Sequence, residues 1–493
     1  MRVLLILLLL SSAGCSSSQK LHLAAISGFD AGDPALAMRH LDEAAQARRA
    51  EADIIQLDQS MALLMSGSPE QAESRLRATR RQLDFLQQKD VGEQTAAVLS
   101  DDKAIAWSGR DYERRMMDSL LVLTNLTHGG LDAFAYSLQA IELAHADLAD
   151  LAPKSHAPVT GDGQIVTVAA PSETVPESPA APPPAPARFA PNALATYLFA
   201  ALQSEKPMNA DVTDRAIRQI SYWQSASRPS TNLSGETAES TVSELVAFGN
   251  HTQQGNGVLH VITLAGRVTP WDEERAEPTS AALLIADRIL SATGKHSLPP
   301  TIAPVRIAVP RRHFSDHPFR TVLSVESARD RGDRVSQVLV DLNQAAWDSF
   351  QSDRDRQLAR AVARRVIKKA AVYTAKDQLA VSRNTGIDLL LNLGGVAWEA
   401  LEKADTRYWS LLPERIEVIQ AELPAGTHTI RLTTTASSTA TGAGIPSVSL
   451  PVVIDDGSNT FVVCFRPSAG FAGQVLVGGT SPASVPAQDL AAP

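Results

Sequence analysis

The N-terminal half of the chain carries apolar residues at the three- and four-residue spacing of amphipathic helices. Two such stripes each fall on a single helical face: Ala72, Leu76, Thr79, Leu83 and Leu86 form the first, and Leu131, Phe134, Leu138, Ile141 and Leu148 form the second. Gly32-Asp33-Pro34 and Gly67-Ser68-Pro69 each place a capping residue before a proline at the first helical position. The pattern predicts helical hairpins over residues 26–226.

These hairpins recur with a period of about 35 residues, close to that of tetratricopeptide (TPR) repeats. They resemble degenerate TPR repeats, because the full repeat signature is never complete. Residues 152–191 interrupt the pattern with a proline- and alanine-rich stretch that cannot build a core, and this predicts disorder. The stretch is either an excursion from one helical domain or a domain boundary. The helical pattern that resumes over residues 194–223 favours the excursion.

Beyond residue 240, short β-branched runs separated by turn residues predict strands. The predicted strands are residues 258–264, 305–309, 321–325, 335–341, 416–421, 429–434, 448–454, 461–465 and 474–477. Helices are predicted over residues 281–290, 344–379 and 387–401. The turn sequence Asp455-Asp456-Gly457-Ser458-Asn459 predicts a hairpin between two strands.

This pattern divides the C-terminal half into a mixed α/β region over residues 240–412, which contains the long helix 344–379, and a small antiparallel β-sandwich over residues 413–480. Residues 481–493 read as a disordered tail. The fold class predicted for the whole chain is therefore α+β and multidomain, with TPR-like helical hairpin repeats at the N-terminus.

Residues 1–14 have the pattern of a bacterial signal peptide. Arg2 precedes the apolar run 3–10, which is too short to span a bilayer permanently. Ala13 and Gly14 before Cys15 resemble a lipobox, in which the cysteine thiol takes a diacylglyceryl group. Plain secretion, with Cys15 as an ordinary small residue, is the alternative. We predict a lipid-anchored protein with a tether over residues 15–25, and Ser16 predicts the periplasmic face of the outer membrane.

Composition narrows the classes of partner and cofactor. The formal net charge of −9 over 493 residues argues against general nucleic-acid binding. Once Cys15 is acylated, only Cys464 remains, which excludes an internal disulfide and a cysteine-based metal site. His313 and His317 are four residues apart, but the neighbouring prolines argue against a shared helix. The sequence predicts neither a cofactor nor a metal.

Three stretches resemble a family of uncharacterised bacterial envelope lipoproteins with a TPR-like N-terminal half. They are Gly109-Arg110-Asp111-Tyr112-Glu113-Arg114 with the turn Gly130-Leu131-Asp132, then Pro304-Val305-Arg306-Ile307-Ala308-Val309-Pro310, and Ala404-Asp405-Thr406-Arg407-Tyr408-Trp409-Ser410-Leu411-Leu412-Pro413 running into Leu423-Pro424-Ala425-Gly426. The family has no established activity, so the resemblance implies location and architecture. Its members are often encoded near lipoproteins that activate peptidoglycan synthases, which implies a partner in cell-wall synthesis.

Asp405, Arg407 and Trp409 form the densest polar and aromatic cluster of the sequence. In a functional interpretation, Arg407 binds an anionic ligand and Trp409 provides a stacking surface. In a structural interpretation, Asp405 and Arg407 form an ion pair that fixes a turn while Trp409 packs. We favour the structural interpretation.

The predicted long helix carries a second candidate, a basic surface. Its members are Arg360, Arg364, Arg365, Lys368 and Lys369. Such a face could attract anionic lipid headgroups or wall polymer, because Cys15 holds the protein near a membrane. A solvated helix face paired with acidic neighbours is the alternative, and the negative overall charge favours it.

The function predicted from these features is a non-enzymatic, lipid-anchored periplasmic scaffold that binds a protein partner through helical repeats. The alternative from another class is a binding module for a cell-wall or surface polysaccharide, which would use the basic helix and Trp409. An envelope hydrolase comes third, because no nucleophile or acid/base pair stands out by spacing.

The substitution Cys15→Ala is expected to release the protein from membranes, because the sequence offers no other anchor. Fractionation of cells that express the wild type and the variant measures this. Ser16→Ala is the control and should stay with the membrane fraction. Membrane recovery of Cys15→Ala equal to that of the wild type would contradict the lipoprotein prediction.

Overall fold

The computed structural model describes residues 20–47, 51–97, 106–151, 193–205, 216, 254–293, 298–299, 302–312, 319–326, 332–379, 403–435 and 447–479. Several predictions lie outside the described residues. They are the signal peptide 1–14, Cys15, the proline-rich excursion 152–191, the apolar helix 387–401, the pair His313 and His317, and the tail 481–493.

Seven helices precede the first strand in the described part of the chain. They are α1 (20–30), α2 (Pro34–Ala47), α3 (Ala52–Met65), α4 (Pro69–Ala97), α5 (Asp111–Thr127), α6 (Ala133–Leu151) and α7 (Ala193–Ser204). From α2 to α7, each helix contacts the next one in chain order. Asp33 caps α2 as predicted, because its Oδ1 accepts a hydrogen bond from the Leu36 N–H at 2.8 Å.

The two predicted apolar stripes differ in outcome. The first is confirmed, since Ala72, Leu76, Thr79 and Leu83 of α4 are all buried. The second is wrong at three positions and confirmed at Ile141, and the Leu148 side chain lies outside the described residues. Leu131 lies in the turn before α6 and is 97% exposed, and Phe134 and Leu138 are also exposed. The buried face of α6 runs through Ala133, Ser137 and Ala140 as well as Ile141, so it is rotated from the predicted one.

The remaining described elements are mostly strands. They are β1 (Asn256–Ala265), β2 (Trp271–Ala276), α8 (Ser280–Thr293), β3 (Val305–Pro310), β4 (Thr321–Val325), β5 (Arg334–Val335), β6 (Gln337–Asp341), α9 (Leu342–Leu379), β7 (Arg415–Pro424), β8 (Gly426–Thr434), β9 (Val448–Ile454), β10 (Asn459–Arg466) and β11 (Ala472–Gly479). Every predicted strand overlaps an observed one. The sequence misses β2, because Asp272-Glu273-Glu274-Arg275 lacks the apolar alternation of a strand.

Strand pairing joins distant parts of the chain. The described strands form a five-stranded sheet in the order β11-β10-β1-β7-β6, a four-stranded sheet in the order β5-β4-β8-β9, and the ribbon β2-β3. Strand β1 runs parallel to β10 and antiparallel to β7. The predicted boundary between residues 240–412 and 413–480 therefore does not separate two sheets, and residues 413–480 do not form an antiparallel sandwich on their own.

The predicted hairpin at residues 455–459 is also wrong. The turn forms, with a hydrogen bond from the Ser458 N–H to the Asp455 carbonyl at 3.2 Å. However, β9 belongs to the four-stranded sheet and β10 to the five-stranded sheet. The chain crosses between sheets here because β10 pairs with β1 instead of with β9.

The five-stranded sheet is the middle layer of the described structure. Along β1 and β10, alternate residues face opposite sides. Ile262, Phe461 and Phe465 join the apolar core shared with the helices, whereas Val261 and Val462 join the core shared with the four-stranded sheet. Helices and strands thus pack as one α+β unit, with helices concentrated at the N-terminal end and strands at the C-terminal end.

The edge strand β11 lies against the ends of two helices. A Cβ atom added at Gly478 would lie 2.1 Å from the Leu126 carbonyl oxygen of α5, and one at Gly473 would lie 2.4 Å from the Met65 carbonyl oxygen of α3. Only glycine allows this approach of backbone to backbone. The ends of α3 and α5 therefore pack closely on one face of β11.

Gly478→Ala should lower the free energy of unfolding by about 2–3 kcal/mol, because the new methyl group meets a backbone oxygen that cannot move alone. Chemical denaturation measures the loss. The control is Gly129→Ala, where the left-handed backbone is strained but no atom lies within 4 Å, and about 1 kcal/mol is expected. Equal losses in both variants would show that β11 does not pack closely on α5.

Candidate functional site

The segment 403–414, which leads into β7, is held to the helices by two buried carboxylates. Glu113 of α5 accepts a hydrogen bond from the Trp409 N–H at 2.7 Å. Asp58 of α3 accepts hydrogen bonds from the Leu411 N–H and from the Ser410 hydroxyl, both at 2.8 Å. Both carboxylates are almost fully buried. Helices from the N-terminal part of the chain therefore fix the backbone of this segment.

Arg110 makes the second connection to the segment. Its backbone N–H donates to the other oxygen of Glu113 at 2.7 Å, so the Glu113 side chain satisfies a free N–H group at the start of α5. Its guanidinium lies 3.5 Å from the centre of the Trp271 ring and donates to the carbonyl oxygens of Asp405 at 3.0 Å and Arg407 at 3.3 Å. The side chain thus ties α5, β2 and the segment 403–414 together.

Burial dominates the titration of these carboxylates. It raises the pKa of Glu113 from its ordinary 4.5 to about 7, although Arg110 and the N–H groups of Trp409 and Arg110 oppose the shift. Burial also raises the pKa of Asp58, against the opposing effects of His22, the Leu411 N–H and the Ser410 hydroxyl. The folded protein therefore binds protons more tightly at both positions than the unfolded chain does.

Beside this segment lies a cleft of about 260 Å³, which we call the arginine cleft. Its charged residues are Arg110, Arg306, Asp353, Arg360, Asp405 and Arg407, and its other lining residues are Ala106, Trp107, Ser108, Gly109, Ile307, Ala308 and Gln357. They come from the start of α5, from β3, from α9 and from the segment 403–414. Four guanidinium groups and two carboxylates therefore border one small cleft.

Two of the cleft arginines are held by carboxylates. Arg407 forms a bidentate ion pair with Asp405, with Nε and Nη2 each 2.8 Å from a carboxylate oxygen. Arg306 donates from Nη1 to Glu273 of β2 at 2.5 Å, and the other oxygen of Glu273 accepts the Ala404 N–H at 2.8 Å. These contacts fix the planes of both guanidinium groups at the wall of the cleft.

Arg360 differs from the other cleft arginines. Arg360 is exposed, and its side chain makes no hydrogen bond to another of the described residues, whereas the side chains of Arg110, Arg306 and Arg407 all do. It acts electrostatically on Asp353, where burial raises the pKa and Arg360 opposes the rise. Arg360 therefore presents unused donors to the cleft.

The structure places the predicted cluster Asp405, Arg407 and Trp409 in two environments. Asp405 and Arg407 make the ion pair of the structural interpretation, and both also line the cleft. The Trp409 side chain is 0% exposed and belongs to the shared core. The functional interpretation of Trp409 is wrong, because a fully buried indole offers no face on which a ligand could stack.

The basic surface predicted on the long helix is divided. Arg360 lines the cleft. Arg364 is 3% exposed, and Arg365 donates to the carbonyl oxygens of Ala303 and Pro304 at 3.0 and 2.9 Å. Lys368 is half-buried, and the side chain of Lys369 lies outside the described residues. No continuous basic face exists among the described side chains, because α9 packs on α8 and β3.

Arg110 and Arg306 are functional candidates that the sequence reasoning did not single out. Both lie in stretches that carry the family resemblance, at Gly109-Arg110 and at Val305-Arg306. Together with Asp405 and Arg407, they bring all three stretches to one cleft. The sequence shows an arginine within each of the three stretches, and this could have marked them as candidates. It does not show that the three stretches meet in the folded protein.

The chain matches no protein-family model, no curated protein and no solved structure. In the part of the chain that the structure describes, no three His, Cys, Asp or Glu side chains come together as a metal site would require. None of the described helices has the length and apolar character needed to cross a bilayer.

The raised pKa of Glu113 predicts a pH-dependent contribution to stability. A buried group that binds its proton more tightly in the folded state stabilises the fold fully below pH 4.5, and this contribution is lost as pH rises to about 7. Its size is about 3 kcal/mol. Urea denaturation at intervals from pH 4.5 to 8 compares the wild type with Glu113→Gln, which cannot titrate. The difference between the two proteins should change over this range, and parallel curves would contradict the prediction.

Proposed function

We propose that the protein is a non-enzymatic, lipid-anchored scaffold on the periplasmic face of the outer membrane, and that its arginine cleft receives a protein partner. The anchor rests on Cys15 and the lipobox-like residues before it. The envelope location and a partner in cell-wall synthesis follow from the family resemblance.

The observation that carries this proposal is the construction of the cleft. Three stretches that are far apart in the chain meet there, and their contacts fix arginine side chains at its walls. Like charges that are held close together repel one another, and a bound anion relieves this repulsion. Arg360, with unused donors at the cleft wall, supports binding of an external acidic group.

Binding also fits the cleft better than catalysis does. Its described lining contains no histidine or cysteine, and Asp405 is held in a bidentate ion pair with Arg407. A hydrolase would need a general base or a nucleophile within reach of a substrate. Burial raises the pKa of the other cleft carboxylate, Asp353, which lies 3.7 Å from Arg356 and also interacts with Arg360, so arginines engage both cleft carboxylates.

The polysaccharide-binding alternative has less support. It relied on Trp409, which is buried, and on a basic helix face that the packing of α9 divides. Trp107 lines the cleft but is only 6% exposed, so it offers little surface for stacking on a sugar ring. We therefore retain the protein scaffold as the function.

The finer architecture belongs to the same proposal. We interpret the N-terminal helices as TPR-like hairpins, since Gly32 and Gly67 each end a helix and precede a proline-initiated one. We interpret the five- and four-stranded sheets as a sandwich, since residues of both sheets share one apolar core. The scaffold would then offer a rigid platform behind the cleft.

The partner should be captured through the cleft. We expect a photoreactive amino acid at Ala106, which is exposed at the cleft wall, to crosslink to a discrete envelope protein in the native host. Arg360→Glu should reduce the crosslinked band at least about tenfold, because it reverses a charge at the wall. The measurement is immunoblotting followed by mass spectrometry of the adduct.

Arg288→Glu is the matched control for this experiment. It makes the same charge change on α8, where Arg288 is exposed and does not line the cleft. Its adduct should equal that of the wild type. An adduct that survives Arg360→Glu, or that contains polysaccharide and no protein, would overturn the proposed function.

A further inference from the structure

We propose that the arginine cleft binds a single carboxylate of a peptide segment, and this inference rests on the function proposed above. The carboxylate is either the C-terminus of the partner or an Asp or Glu side chain within it. The size, the charge balance and the arrangement of donors and acceptors each lead to this ligand class.

The size of the cleft limits what it can hold. Sites for complete small-molecule ligands usually have volumes of about 300–1,000 Å³. The arginine cleft, at about 260 Å³, lies just below that range. It therefore has room for one terminal group or side chain of a larger partner.

The charge balance favours an anion with a single negative charge. Arg407 pairs with Asp405 and Arg306 with Glu273, whereas Asp353 is shared between Arg360 and Arg356, whose Nη1 lies 3.7 Å from it. Arg110 rests on the Trp271 ring and on two backbone carbonyl oxygens, and its charge acts on the buried Glu113. With Arg356 included, five arginines stand against these four carboxylates, so positive charge exceeds negative charge by one. A phosphate dianion would leave excess negative charge beside Asp353 and Asp405.

The donors and acceptors at the wall match a peptide carboxylate in particular. Arg360 offers a planar guanidinium fork, which fits two oxygens on one carbon. The side chains of Asp353 and Asp405 remain 36% and 27% exposed, so their oxygens can accept hydrogen bonds from a ligand. A peptide carboxylate has amide N–H groups a few bonds away that would donate to such acceptors. A phosphodiester has no such donors.

Isothermal titration calorimetry with the full mature chain in detergent tests the inference. The probes are acetyl-Ala-Ala-Ala with a free carboxylate, the same peptide with a C-terminal amide, acetyl-Ala-Glu-Ala-amide and inorganic phosphate. We expect at least one carboxylate peptide to bind at least about tenfold more tightly than the amide peptide and than phosphate. The comparison of the two carboxylate peptides identifies a terminal or a side-chain carboxylate as the source.

Variants connect the binding to the cleft. Arg360→Gln and Arg306→Gln should each weaken binding of the carboxylate peptide at least about tenfold, whereas Arg288→Gln, at an exposed position of α8 outside the cleft, should change its affinity less than twofold. Arg360 is exposed and makes no hydrogen bond to other described residues, so Arg360→Gln should melt like the wild type, and a thermal melt checks its folding. Arg306→Gln is a second, independent test, because Arg306 lines the cleft from β3 and Arg360 lines it from α9.

Three results would overturn the inference: tighter binding of phosphate than of either carboxylate peptide, equal binding of the amide peptide, or unchanged peptide affinity in both cleft variants. The outcome is separable from that of the proposed function. If a protein is crosslinked in an Arg360-dependent way but no peptide binds, the scaffold function stands and the carboxylate inference is refuted. If a carboxylate peptide binds but no protein is crosslinked, the proposed scaffold function is refuted and the carboxylate inference stands.

Discussion

Two buried carboxylates, Asp58 and Glu113, hold the structure together at its functional centre. Burying a carboxylate is unfavourable unless hydrogen-bond donors replace water, and here backbone N–H groups of the segment 403–414 supply them. The same bonds fix the path of that segment across the helices. Its carbonyl oxygens then receive Arg110, and its side chains Asp405 and Arg407 reach the cleft. The arginine cleft therefore exists only while the segment is docked.

The five-stranded sheet explains why helices and strands cannot be treated as independent domains. Strand β1 pairs with β7 and β10, which follow it by more than a hundred residues, and its two faces pack on different layers. At one end of the sheet, the buried Arg466 donates to Glu417 at 2.7 Å, and the Ser336 hydroxyl donates to the other Glu417 oxygen at 2.6 Å. Such a buried pair is costly to break, because one charge would be left unpaired.

Two arginines of the cleft have structural roles that suit the binding that we propose. Arg110 and Arg407 are fixed by contacts that the fold needs, and this fixation sets the cleft walls before any ligand arrives. A preorganised wall loses little side-chain entropy on binding, which favours affinity from few contacts. Arg360 is the exposed member on α9, and it completes a wall whose other arginines are already oriented. Structural pairing and ligand binding are thus compatible at Arg407.

The sequence by itself determined most local elements. Short β-branched runs located the strands at residues 258–264 and 448–454, and the helical stripe located α9, because these signals depend on neighbours a few residues away. The turn residues around Gly457 also predicted the turn. They did not predict that β10, the strand after the turn, would join a different sheet from β9. Local chemistry sets where a chain bends and cannot choose the partner of the next strand.

Only the tertiary structure decided the candidate site. The burial of Trp409, the rotation of α6 and the meeting of Arg110, Arg306, Arg360 and Arg407 all depend on which apolar faces fill the shared core. Strands β1 and β10 are also far apart in sequence, and their parallel pairing crosses the predicted domain boundary between residues 412 and 413. Composition gave no sign of the cleft, because the overall charge is negative and its arginines are scattered along the chain. Long-range packing brought them together, and no short-range pattern records that packing.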